Sequence, residues 1–370
     1  MDQDMVRKLR DVTGAEGWAG LVLLSPENVA YATGFVVPSQ PLMRWRHAAY
    51  VLPRDGEPHL VIVDMETQTV TDHLPGVPVH TYGEFTENPM DVLAGTLREM
   101  GLASGPIGVE LGYLSSDDTD RLRARLPELA MASCDVSVAR ARVIKTGAEI
   151  ERLRALSKLT DATIRDAFAG VRAGMTEMDL AGRLTQGIFE RGADNFKLMI
   201  VASGERSGYP NVGPTSRVLA PGDLIRAEIF GMRDGYHAGV CRTAVVGRPT
   251  REQERVWSVI IRCRDRVLEM LRPGASAAEV YREFSRIFDA EGLPAISFVG
   301  HGIGVHLHEE PYLGKYGDAR LEAGMVLGSE PLVYAPGQGM QNKDMVLITE
   351  DGSELLSDVT PAERLVEVAA

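Results

Sequence analysis

A chain of 370 residues exceeds what one hydrophobic core ordinarily supports, so two domains are expected. Its 44% apolar and 25% charged residues are those of a soluble globular protein, and a formal net charge of −13 argues against nucleic acid or anionic membrane as a partner, since both need a basic footprint. Three cysteines, Cys134, Cys241 and Cys263, lack the paired spacing of a disulfide framework or a structural zinc site.

The chain opens on Met1-Asp2-Gln3-Asp4, acidic and with no apolar segment behind it, and no run nears the roughly 18 apolar residues of a membrane span. A cytoplasmic protein is expected. Residues 18–25 read as a buried strand, with Pro26-Glu27-Asn28 opening a short helix. Residues 48–52 and 59–63 read as a hairpin across 53–58, whose Asp55-Gly56 is a turn signal. Then come an amphipathic helix over 91–102, a strand over 106–110 and a helix over 116–126. Arg44-Trp45-Arg46-His47 forms a basic patch on a loop of an acidic chain; it reads either as a solvated loop or as a carboxylate clamp. A basic stretch at 140–147 precedes a long helix starting at Ala148, which divides the chain into domains 1–139 and 140–370.

The second half repeats itself. Residues 221–228 and 323–330 share a Gly, an apolar run and a terminal Glu, and each reads as a turn entering a buried strand that delivers a carboxylate. Ahead of them, Gly174 and Gly274 each precede a helix that ends at Gly192 or Gly292. Two copies cannot make a solenoid, so the pattern predicts a pseudo-twofold α/β domain with Glu228 and Glu330 facing each other across its axis. Between the copies lies Gly300-His301-Gly302-Ile303-Gly304, followed by His308-Glu309-Glu310-Pro311. Glycines there allow close backbone approach, and the two histidines bring groups that titrate near neutrality to one place.

These segments, with 144–150, Gly222-Asp223-Leu224, Gly324-Met325-Val326, Glu330-Pro331 and 344–352, resemble the pita-bread-fold family of methionine aminopeptidase, Xaa-Pro dipeptidase, creatinase and ectoine hydrolase. Residues 25–28 and 33–35 resemble the creatinase-type N-terminal domain. The implied fold class is α/β (α+β), a C-terminal pita-bread fold with a pseudo-twofold internal repeat behind a smaller creatinase-type α/β N-terminal domain. The family's peptidases hold two divalent ions with two Asp, one His and two Glu. On this chain the resemblance lays those positions onto Glu228, Gly239, His301, Glu330 and Lys343, so both bridging carboxylates are missing. Glu228, Glu330 and Lys343 sum to one negative charge, and an ammonium among would-be ions repels them by several kcal/mol even at an effective dielectric of about 20. No metal and no other cofactor is therefore expected, although Glu228, His301 and Glu330 would suffice as a three-ligand site for one ion.

The resemblance then points to creatinase and ectoine hydrolase, hence to a metal-independent hydrolase of an amide or amidine C–N bond in a small molecule. Creatinase's catalytic His falls on Asn211, however, and its pocket Glu on Cys241, which reads as a packing residue. From the residues themselves, two facing carboxylates repel, so one should bind a proton while the other stays ionised beside Lys343. The expected catalytic set is Glu228 as nucleophile or base, Glu330 as its proton-sharing partner, and His301 with His308 as proton donors. Asn211 and Lys343 are expected to stabilise an oxyanion, and Tyr236 and His237 to line the substrate site. The resemblance also implies a homodimer in which Arg46 reaches the neighbouring subunit's pocket to hold a substrate carboxylate. A lyase, dehydratase or cyclase, an Xaa-Pro-type metallopeptidase, and a binding protein without turnover remain open beside this reading.

Overall fold

The computed structural model describes residues 3–335 and 337–370. It divides into two compact units, Met1–Arg142 and Val143–Ala370, where the sequence placed the change of domain after residue 139. The first unit carries a six-stranded mixed sheet in the order β4-β3-β2-β1-β5-β6. Its elements are α1 (Gln3–Ala15), β1 (Gly20–Leu23), α2 (Pro26–Thr33), β2 (Ala49–Pro53), β3 (His59–Val63), α3 (Thr67–His73), β4 (Val79–Tyr82), α4 (Pro89–Glu99), β5 (Gly105–Val109), α5 (Ser116–Arg125), β6 (Leu129–Ser133) and α6 (Asp135–Val143). The expected hairpin is β2 with β3, antiparallel and in register Ala49↔Val61. The expected helices are α4 and α5, each begun by a side-chain oxygen that accepts a first-turn N–H, from Asn88 and Ser115 respectively. Such a cap satisfies one of the four N–H groups that a helix start leaves without a partner.

In the second unit, the capping box of Thr146 and Glu149 opens the long α7 (Gly147–Ala169), followed by α8 (Glu177–Glu190). Then come β7 (Asn195–Ser203), β8 (Leu224–Arg233) and β9 (Tyr236–Val246), α9 (Arg251–Met270), α10 (Ala277–Ala290), β10 (Phe298–Gly302) and β11 (Glu309–Gly314). The chain closes with β12 (Val326–Ser329), β13 (Leu332–Val333), β14 (Met340–Gln341), β15 (Asp344–Ile348), β16 (Ser353–Leu355) and β17 (Val366–Val368). Two main sheets result, β17-β9-β8-β7 and β11-β10-β12-β15-β16, with β13 and β14 as a separate pair. Helices α9 and α10 close one core, where Trp257, Ile260, Phe284 and Phe288 pack on Val299, Leu327 and Val346.

The internal repeat is structural. Gly222 and Gly324 both take left-handed φ, 89° and 87°, at the turn that launches β8 or β12. Upstream, Gly174 N–H donates to Leu219 O at 2.9 Å and Gly274 N–H to Leu321 O at 2.8 Å, so the same turn-to-strand contact closes each half. The two sheets meet at Cys241 and Lys343, whose backbones exchange hydrogen bonds of 3.0 and 3.3 Å. That junction sets Lys343 at the centre of the repeat.

Candidate active site

A cavity of about 400 Å³ lies within the second unit. Leu198, Ile200, Phe298 and Leu332 give it apolar walls, while Arg226, Glu228, Glu330, Gln341 and Lys343 supply polar lining. Asn211 and His308, both more exposed, also line it. Strand periodicity explains the clustering: Arg226 and Glu228 are alternate residues of β8, and Gln341 and Lys343 are alternate residues where β14 runs into β15, so each pair faces one side.

Lys343 is the hub. Its Nζ lies 3.0 Å from Glu330 Oε2, 3.0 Å from His301 Nε2 and 3.3 Å from Glu228 Oε1, with the Phe230 ring centroid at 4.5 Å. Burial opposes an ammonium here, but the Glu330 and Glu228 carboxylates outweigh it and raise the Lys343 pKa. Burial likewise works against the Glu330 carboxylate, yet the Lys343 charge overcomes it and holds that pKa down at about 2. The expectation that the two carboxylates repel and share a proton is thus corrected: an ammonium stands between them and attracts both.

His301 is fully buried, and its Nδ1 lies 2.8 Å from the carbonyl oxygen of Gly302. A carbonyl can only accept, so Nδ1 carries the proton and Nε2 offers its lone pair to the Lys343 ammonium. His308 stacks on His301 with ring centroids 3.6 Å apart and planes 12° from parallel. Partial desolvation, followed by the charge of the Lys343 ammonium, pulls the His308 pKa down to about 4. An imidazole held neutral at neutral pH accepts a proton more readily than it gives one, which reverses the donor role expected of His308.

A hydrogen-bond chain extends from this hub. Glu330 Oε2 also accepts from Gln341 Nε2 at 3.1 Å, Gln341 Oε1 accepts from Arg226 Nη1 at 3.2 Å, and Arg226 Nη2 donates to the carbonyls of Tyr209 and Pro210. Arg226 is completely buried. Glu330 Oε1 has no hydrogen-bond partner among the described residues, although His301 Nε2 approaches to 3.2 Å. Arg226, Gln341 and Phe230 were missed in the sequence; the signal was there for the first two, each standing two residues before a recognised one.

Other expected site residues lie elsewhere. The Tyr236 hydroxyl bonds Glu149 Oε1 at 3.1 Å beneath the Arg152 guanidinium, and His237 Nδ1 lies 3.2 Å from Gly304 O; neither lines the cavity. Arg46 belongs to the first unit, where its fork donates to Glu84 at 2.5 and 2.9 Å. Its bidentate capacity is used within its own unit.

The two-ion centre of the resembled peptidases does not fit these residues. A Cβ at Gly239 would meet the Phe230 ring at 2.3 Å, so no ligand side chain reaches in from there. His301, His308 and Glu330 form the group, among the described residues, whose ligand atoms lie within 4.8 Å of one another. The Lys343 ammonium sits 3.0 Å from two of its members.

Residues 151–350 match the metallopeptidase family M24, and residues 5–144 match the creatinase/prolidase N-terminal domain. The Xaa-Pro dipeptidase of Lactobacillus helveticus is 27% identical over 352 residues, 93% of this chain and 94% of the relative. That of Pyrococcus furiosus is 26% identical over 340 residues, 90% and 92% of the two chains. Among solved structures, dipeptidase PepE from Mycobacterium ulcerans superposes with a TM-score of 0.83 at 26% identity over 99% and 98% of the chains. A recombinant prolidase from Thermococcus sibiricus, at 24% identity over 100% of both, gives 0.88 and speaks for the fold. The expectation of a non-peptide amide or amidine hydrolase of the creatinase and ectoine hydrolase branch is overturned by these relatives, which are dipeptidases, and they lend no support to a branch set apart by lack of metal. The repeat, the two units and the full-length likenesses agree: this chain belongs to metallopeptidase family M24 and carries a creatinase/prolidase N-terminal domain.

Proposed function

We propose that the chain hydrolyses small peptides, in the manner of the Xaa-Pro dipeptidases it resembles. The observation that carries this reading is the likeness to those enzymes across both units, at 27% identity over 93% of the chain. The cavity supports it: about 400 Å³ is at the lower end of small-ligand pockets, room for a dipeptide between apolar walls. In this reading neutral His308 takes a proton from the attacking water and returns it to the peptide nitrogen, so that the C–N bond breaks and the amine leaves neutral. The unbonded Oε1 of ionised Glu330 orients that water, and the Asn211 side chain faces the carbonyl oxygen as charge develops on it. Glu228 keeps Lys343 in place. The family's ions would supply Lewis-acid activation, and no step is assigned to them because the residues do not fit them.

A second reading has one observation behind it. Lys343 contacts as many protein acceptors as it has N–H groups, which favours a pocket that binds a peptide without cutting it. Incubation of the purified protein with a panel of Xaa-Pro and other dipeptides, with added manganese and separately with chelator, decides between them. Release of free amino acids in either condition, lost in Glu330→Gln, supports hydrolysis. Saturable peptide binding with no release in both conditions overturns it.

A further inference from the structure

We propose that the ammonium of Lys343 is the resident cation of this centre, standing where the family's ions would stand, and that the centre takes up no divalent ion. The inference does not depend on what the substrate is. It begins with coordination. A lysine ammonium has three N–H groups, and three acceptors surround this one: Glu330 Oε2 and His301 Nε2 at 3.0 Å each and Glu228 Oε1 at 3.3 Å. These are the residues that the family resemblance lays on ion-binding positions. The face of Phe230 covers a further side at 4.5 Å, offering π density to the cation.

Lys343 is held in that place by the fold. Its backbone is fixed by the paired hydrogen bonds to Cys241 and by Arg242 Nη1, which donates to Lys343 O at 2.7 Å. Arg242 is itself buried and anchored by Asp161 and Asp344 at 3.0 and 2.9 Å. Gly328 provides the passage for the lysine stem, since a Cβ there would approach Lys343 Cε to 3.1 Å and the His301 ring to 3.5 Å.

Charge completes the case. Two buried carboxylates, Glu228 and Glu330, are matched by two buried cations, Lys343 and Arg226, the latter reaching Glu330 through Gln341. A divalent ion entering this set would bring charge that no further carboxylate offsets, beside an ammonium that cannot leave without abandoning all three acceptors. Buried unbalanced charge of that kind is strongly unfavourable. Gly239, the other position where a ligand would be needed, is closed by Phe230.

The test is cobalt binding, read by titration calorimetry and by the visible absorption of bound cobalt, so that it does not rest on any activity. The full-length protein should show no saturable uptake, whereas Lys343→Glu and Lys343→Gln should each gain a site that binds cobalt at least about a hundredfold more tightly than wild type. His301→Ala in the Lys343→Glu background should remove it. Saturable cobalt binding by the wild-type protein that His301→Ala abolishes would overturn the proposal, as would two folded Lys343 variants with no gain. If neither variant folds, the wild-type titration still decides. Peptide hydrolysis failing while cobalt is excluded would overturn the proposed function and leave this inference standing.

Discussion

Phe230 and Gly239 face each other across β8 and β9, and the phenylalanine ring fills the space a side chain at residue 239 would need, with Cε1 only 2.3 Å from an added Cβ. Gly239→Ala should therefore cost about 1–3 kcal/mol of stability through overpacking. In the background of Phe230→Ala the same substitution should cost much less, because the ring has gone. Urea unfolding of the four proteins measures this; additive losses would mean that the ring does not hold the space.

The acid response should carry the signature of Glu330. A carboxyl whose pKa is lowered by folding, here to about 2 from an ordinary 4.5, contributes stability that is fully present above the unfolded value and lost as pH falls through the folded one. Wild-type stability should therefore drop more steeply than that of Glu330→Gln between about pH 5 and about pH 3. Denaturant midpoints across that range provide the check, and equal slopes would take Glu330 out of the acid response.

His308 makes a claim on the pH profile of turnover. With its pKa pulled down to about 4, the imidazole stays neutral through the physiological range and becomes charged only in acid. The acid limb of kcat/KM should accordingly lie near 4 if His308 is the base, and His308→Ala should lower kcat by about a hundredfold or more. An acid limb near the ordinary histidine value of 6.5, or near-wild-type turnover in the variant, would assign the proton transfer to another group.

Arg226 holds the segment that carries Asn211. Its guanidinium donates to the carbonyls of Tyr209 and Pro210 as well as to Gln341, a geometry that lysine's single nitrogen cannot reproduce. Arg226→Lys should loosen residues 204–215 and cost about 1.5–3 kcal/mol, the range for hydrogen bonds from charged donors. Faster trypsin cleavage at Arg206, with a raised KM, is the expected outcome. Unchanged cleavage would show that the segment is held by other contacts.

Much of the architecture was legible because it rests on local chemistry. Apolar periodicity and turn residues are local signals, so α4, α5, the start of α7 and the β2–β3 hairpin stood out in the sequence, and the paired Gly222 and Gly324 announced the repeat. The site was legible in part. Glu228, Glu330, His301, His308, Asn211 and Lys343 were found through the repeat, the glycine loop and the family resemblance, and all but His301 line the cavity, with His301 buried under His308. Tyr236 and His237 were expected at the substrate site from the likeness of residues 228–237 to ectoine hydrolase. In fact β9 turns them toward Glu149 and Gly304.

What the sequence determined by itself was therefore the inventory: two units, a duplicated α/β second half, and a set of ionisable groups whose charges do not suit two divalent ions. What only tertiary structure decided was how those groups pair. Two glutamates alone predict repulsion and a shared proton, but the Cys241–Lys343 junction carries an ammonium between them and reverses the sign of the interaction. The same holds for Phe230 closing the space at Gly239 and for Gln341 joining Arg226 to Glu330. Electrostatic and packing energies depend on distances of a few ångströms between residues about ten to over a hundred positions apart, and separation along the chain does not encode them.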